Sequence, residues 1–175
     1  MSDLKTTAKQ AFSQLRPYLY AGQLSTLEQL CEGEEGEYFR GLVVELAARI
    51  GSIPAMDEGP EVTNDSPVKL HYFYQGSDWY IFELEHVAED DVVLGFGWAI
   101  LGGDYQMAEL GCISVSELLA CGVELDLHFA PKTLGQVRLE HLSRINHGNA
   151  SIQALMRDTP PSCGWSNYIF DSLVI

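Results

Sequence analysis

Apolar residues recur with helical spacing through the first fifty residues, then with a two-residue period from about residue 69 to 131. Leu4, Ala8, Ala11, Phe12 and Leu15 share one face of a helix expected over 4–15. It is entered from Ser2 or Asp3 and stopped before Arg16-Pro17. Ser25-Thr-Leu-Glu28 has the form of a capping box and predicts a short helix to about Cys31. Glu34–Ile50 is the clearest helix, with Phe39, Leu42, Val43, Leu46, Ala47 and Ile50 in a single stripe. Glu34, Glu35 and Glu37 suit the positive end of its dipole, and Gly51 suits its stop.

The two-residue period opens in Lys69–Glu85, which reads as two strands joined at Gln75-Gly-Ser-Asp78. Further strands are expected at Val92–Leu101, Gln106–Ser114 and Val123–Ala130. Tyr80, Phe82 and Leu84 alternate with Trp79, Ile81, Glu83 and Glu85, while Leu94, Phe96, Trp98 and Ile100 alternate with Gly95, Gly97 and Ala99. Each strand then has one greasy face and one small or polar face, as in an antiparallel sheet covered on one side, with Gly95 and Gly97 outward. Ser114–Gly122 reads as a short capped helix; Thr133–Leu142 and Ser151–Arg157 are weaker helices. Asp158–Gly164 breaks the chain, and Trp165–Ile175 is an apolar end.

These elements predict an α+β fold. N-terminal helices pack on one face of an antiparallel sheet of about five strands, with short helices and an apolar C-terminal segment. A chain of 175 residues suits one domain, 1–175, with a helical part (1–51), a sheet (68–131) and a helical or irregular remainder (132–175). The Pro- and acid-rich stretch 52–67 is a crossing loop.

Charge changes the picture. The net charge is −15, and residues 51–131 hold fifteen acids against the one base Lys69. The other 94 residues hold ten acids and nine bases, so the field comes almost wholly from one half. That excludes phosphate-gripping nucleic-acid binding and anionic membranes as first expectations. Residues two apart on a strand share a face, so Glu83 with Glu85, and Glu124 with Asp126, are expected to form rows, with Glu89-Asp90-Asp91 in the adjoining turn. Like charges so placed destabilise a sheet, and they attract cationic partners. A solubilising face is the plainer explanation of the same pattern.

Dedicated chemistry is sparse. No P-loop, GxGxxG, GxSxG, HExxH or EF-hand pattern is present, and neither a metal nor a cofactor is expected. His128, two residues after Asp126, offers a carboxylate–imidazole pair for proton transfer, and an enzyme would place a deep pocket around His128 and His71. Cys31, Cys112, Cys121 and Cys163 have no CxxC spacing and read as reduced, mostly buried thiols of a cytoplasmic protein. The N-terminus has no apolar signal core, and no run approaches the length of a membrane span.

Several segments carry a resemblance. They are Leu70-His-Tyr-Phe73, Asp78-Trp-Tyr-Ile-Phe-Glu83, Gly95-Phe-Gly97, Ala108-Glu-Leu-Gly111 with Ile113-Ser114 and Glu117-Leu118, and Glu124-Leu-Asp-Leu-His-Phe-Ala-Pro131. Together they resemble a plasmid- and phage-borne family of unknown function, acidic single-domain proteins often encoded among anti-restriction genes. Tyr20-Ala-Gly-Gln-Leu24 and Glu34-Glu-Gly-Glu-Tyr-Phe39 are similar to its longer members, and 132–175 match nothing in it. The family brings no catalytic residues. With the charge map it implies a non-catalytic inhibitor of a host defence system, anti-restriction or anti-CRISPR. Such a protein occupies a basic nucleic-acid-binding protein through Glu83, Glu85, Glu89, Asp90, Asp91, Glu124 and Asp126. An accessory interaction module of the element, binding through apolar surface, is the alternative. Nothing in the chain speaks to its oligomeric state.

Overall fold

In a computed structural model of the chain, residues 2–56, 61–87 and 91–145 are described. Three helices come first: α1 (Ser2–Leu15), α2 (Ala21–Glu32) and α3 (Gly36–Ile50). A short strand β1 (Pro67–Val68) leads into β2 (Leu70–Tyr74), β3 (Ser77–Val87), β4 (Val92–Ile100) and β5 (Glu109–Ser114). Then follow α4 (Val115–Ala120), β6 (Glu124–Leu125), β7 (Lys132–Thr133) and α5 (Leu134–Ile145). The α+β class and the five-stranded antiparallel sheet are as expected, in the order β5-β4-β3-β2-β6, with β1 and β7 forming a separate two-stranded ribbon.

The sheet is covered on both faces, not one. On one side α1, α2, α3 and α4 bury Leu15, Leu27, Val43, Leu46 and Leu118 against Leu70, Tyr72, Trp79, Ile81 and Ile113. On the other, α5 buries Leu134, Val137 and Leu142 against Tyr80, Phe82, Trp98, Ile100 and Phe129. The second cover escapes a simple alternation because β3 carries a bulge between Ile81 and Glu83. Before the bulge, odd residues face the N-terminal helices. After it, Leu84 joins that face, and Glu83 pairs with Phe96 on the other.

Gly95 and Gly97 are therefore not on an outer face. Their strand neighbour Val93 lies in the helix-side core, and a Cβ at Gly97 would stand 2.6 Å from the Tyr80 carbonyl oxygen and 2.7 Å from Ile113 Cδ1. Glycine is there because Ile81 and Ile113 close over the backbone.

Other expectations shift for local reasons. α2 begins at Ala21, so Ser25 lies within the helix and takes a bond from Gln29 Nε2 (3.4 Å) rather than capping an end. Burial of Leu24, Leu27 and Cys31 on one face outweighs the capping signature. Ser114 does cap α4, its Oγ accepting from the Glu117 amide at 3.3 Å. The expected strand 123–130 pairs only at Glu124–Leu125, after which the chain turns, Phe129 N–H donating to Asp126 O. α2 supplies the missing neighbour: the Gln23 amide donates to Leu125 O (2.7 Å) and accepts from Leu125 N–H (3.1 Å), as a further strand would. Arg49 of α3 donates to Phe129 O at 2.6 Å and pins the far end of the turn. The stretches expected at 151–157 and 165–175 lie outside the described residues.

Replacing Gly97 by Ala is expected to cost about 1–3 kcal/mol through overpacking. Gly111→Ala, where a Cβ meets nothing within 4 Å, should stay within about 0.5 kcal/mol of the parent. Urea unfolding checks this; equal midpoints for the two variants would show that the Ile81–Ile113 closure yields freely.

Candidate functional site

The acids singled out by sequence do not form one row. Glu83 is buried, 9% exposed, on the face turned toward α5. Glu85 is exposed two residues further on, and Asp91 is exposed with its Oδ1 2.9 Å from His86 Nε2. Glu89 and Asp90 lie outside the described residues. Glu124 is exposed, and Asp126 is half-buried. Glu124 stands opposite Phe73, which is itself opposite Asp78. Asp78 and Glu85 are seven residues apart on β3, or roughly 20 Å at strand rise with one residue lost to the bulge. The carboxylates therefore fall into two groups at opposite ends of the sheet. Glu85 and Asp91 lie at the β3–β4 end; Asp78, Glu124 and Asp126 lie at the β2–β3 end.

Among the described residues, neither group is paired with a Lys or Arg from the two ends of the chain. The Lys and Arg ion pairs seen among the described residues are Arg49–Glu45 at 2.9 Å and Lys132–Glu140 at 2.8 Å. Both use acids from outside 51–131.

At the β2–β3 end the acids converge on a histidine. His71 Nε2 lies 2.8 Å from Asp78 Oδ1, and its Nδ1 lies 3.2 Å from Asp126 Oδ2. A carboxylate only accepts, whereas a neutral imidazole has one donor nitrogen; both contacts are met together when both ring nitrogens carry a proton. The remaining oxygen of Asp126, Oδ1, accepts the His128 amide at 3.0 Å. His128 thus contributes backbone, and its exposed ring is not the imidazole held by acids. His71 is. The two-residue turn Gln75-Gly76, both at positive φ, sets this up. It pairs Phe73 with Asp78 and leaves Asp78 diagonal to His71. A turn spanning 75–78 takes Asp78 out of the strand, whereas the Gln75-Gly76 dipeptide, as a two-residue turn, returns it to the register opposite Phe73.

Behind His71 lies an aromatic stack. Its ring is parallel to Tyr80 at 4.5 Å and 6°, and Tyr80 Oη lies 2.7 Å from His141 Nε2 on α5. Burial holds the Tyr80 hydroxyl far above its ordinary range and pushes His141 below its own. Tyr80 therefore keeps its proton and donates, and neutral His141 accepts. Arg138 lies over Trp98 beside this group, 5.4 Å from the ring centre. In front of His71 an open depression of about 340 Å3 is lined by His71, Phe73, Gly76, Ser77, Asp78 and Asp126.

Among the described residues no group of three His, Cys, Asp or Glu is arranged to hold a metal, and no helix is long and apolar enough to cross a membrane. Cys31 is buried and burial pushes its thiol up, but Cys112 and Cys121 are exposed, against the expectation of mostly buried thiols. Cys163 lies outside the described residues. No protein-family model, curated protein or solved structure matches this chain.

His141 generates a pH prediction. Its proton affinity is lower folded than in the unfolded chain, whose ordinary value is 6.5. The unfolded state then binds the extra proton between the two values, so the contribution is complete above 6.5 and is lost as pH falls through that window. Thermal midpoints from pH 7.5 to 5 should drop more steeply for the parent than for His141→Gln. Parallel curves would contradict the assignment.

Proposed function

We propose that this protein is an acidic, non-catalytic binding protein of a mobile genetic element. It acts in the cytoplasm and blocks a host defence system, of the restriction or CRISPR type, by occupying a basic nucleic-acid-binding surface. The observation that carries the reading is the exposure of Glu85, Asp91 and Glu124 without Lys or Arg pairing among the described residues, within a span of fifteen acids and one base. Unpaired like charges cost stability and speed encounter with a cationic partner. Their separation suits such a partner. Two acidic groups roughly 20 Å apart match the axial rise of about six base pairs of duplex, a spacing that an elongated basic groove already accommodates. The resemblance of residues 20–131 to proteins encoded among anti-restriction genes supports the mobile-element part.

Exposed apolar side chains support a second reading, an accessory module that binds a protein through greasy surface. Met107 is 73% and Leu101 51% exposed. The two differ in their response to salt, because screening weakens charge pairing and leaves apolar burial intact.

Expressed in hosts with defined restriction or CRISPR systems, the protein should raise transformation by unmodified or targeted plasmid at least tenfold. The triple reversal Glu85→Lys, Asp91→Lys, Glu124→Lys should abolish the gain, and retention of the purified target should fall steeply between 50 and 300 mM salt. Relief of none of the systems, or relief untouched by the reversal, rejects the proposal. Salt-independent retention favours the accessory module.

A further inference from the structure

On the sheet face turned toward α5, three strands set Asp78, Phe73 and Glu124 side by side in one row, with Cβ atoms of opposed residues about 5 Å apart. The next row is Tyr80, His71 and Asp126, the last held by its amide on the His71 carbonyl at 2.8 Å. Phe73 is thus an aromatic ring flanked on both neighbouring strands by carboxylate residues. It is 38% exposed and forms a wall of the depression in front of His71. Its inner side meets the His71 ring at 5.8 Å. Elsewhere the protein covers aromatic faces with its own cations, Lys132 on Phe129 at 5.3 Å and Arg138 on Trp98 at 5.4 Å. Phe73 carries no such cation among the described residues. Asp78 lines the depression and gives Oδ1 to His71.

We propose that this depression seats one arginine side chain of the partner protein, its guanidinium stacked on Phe73 and paired with Asp78, while Glu124 flanks Phe73 from the neighbouring strand. The inference rests on the reading of the protein as a binder of a basic partner and names the contact at one of its two acidic ends. Arginine suits it better than lysine. Its planar, weakly hydrated head stacks on an aromatic face while donating in plane to carboxylates, whereas an ammonium is a compact and strongly hydrated point charge. Asp78 and Asp126 both already contact His71, so the depression suits a single cation rather than a cluster. Arginine is among the residues enriched at interface anchors.

The resonances of Phe73 and His71, followed by NMR, read occupancy directly. Acetyl-arginine amide should shift both saturably, acetyl-lysine amide more weakly because it lacks the planar fork that stacks and donates together, and acetyl-citrulline amide not at all. Phe73→Ala should weaken the arginine amide about fivefold while the variant still folds cooperatively, with a thermal midpoint lowered by the loss of the ring's packing on His71. Absence of saturable shifts, or lysine or citrulline matching arginine, overturns the proposal. Free arginine binding more tightly than the amide would make this a small-molecule site and overturns it too. The two levels separate cleanly. If Phe73→Ala keeps full relief of restriction while the charge reversal loses it, the arginine seat fails and the wider reading stands. If arginine saturates the site and no defence system is relieved, the wider reading fails alone.

Discussion

β3 is covered on both faces, and the rest of the molecule follows from that constraint. Trp79, Ile81 and Leu84 belong to the core beneath the N-terminal helices, while Tyr80 and Phe82 belong to the core beneath α5. A strand buried on both sides has little room for charge, since an ionised side chain there loses its hydration and needs a partner in return. The bulge at Phe82 lets one strand serve two cores whose apolar registers differ by a residue. It also turns Glu83 and Glu85 to the face of Phe96 and Leu94, where Glu83 is buried and Glu85 emerges at the strand end.

The same constraint makes the His71 cluster intelligible. His71 lies on the α5 side of β2, at the rim where Phe129 and Tyr80 end the aromatic core. The imidazole meets an aromatic face on its inner side and carboxylates in its plane, satisfying an apolar and a polar boundary with one ring. Two aspartates without His71 would repel each other at that rim; with it they bind the β6 turn to the β2–β3 hairpin. Gln23 and Arg49 reach the same turn from α2 and α3, so helices on the opposite face help to hold the acidic end in place.

Much of the fold was legible from period alone. The stripe of α3, the hairpin, the Ser114 cap and the antiparallel sheet each depend on neighbours within a few residues. The second cover was not legible, because a one-residue bulge exchanges the faces of a strand and leaves no mark on composition. Gly97 looked like thin outer backbone for the same reason, although the space is taken by Ile113, sixteen residues away. The acidic bias was visible as a total, and its division between two ends was not. That division needs the register of β2 on β3 and of β6 on β2, and only the two-residue turn at Gln75-Gly76 encodes the first.

With both sheet faces occupied, surplus charge is confined to strand ends and turns. Strand length then sets the distance between the acidic groups, and a rigid sheet holds that distance without flexible side chains having to find it. In the role proposed above, matching spaced positive charges on another surface, such a fixed spacing needs little adjustment. Little conformational entropy remains to be lost on contact. The repulsion among these carboxylates is also smaller when they are divided across roughly 20 Å, about two and a half times the Debye length at physiological salt. The two groups hardly feel each other in the free protein, yet each is strongly attracted by whatever positive charge it meets.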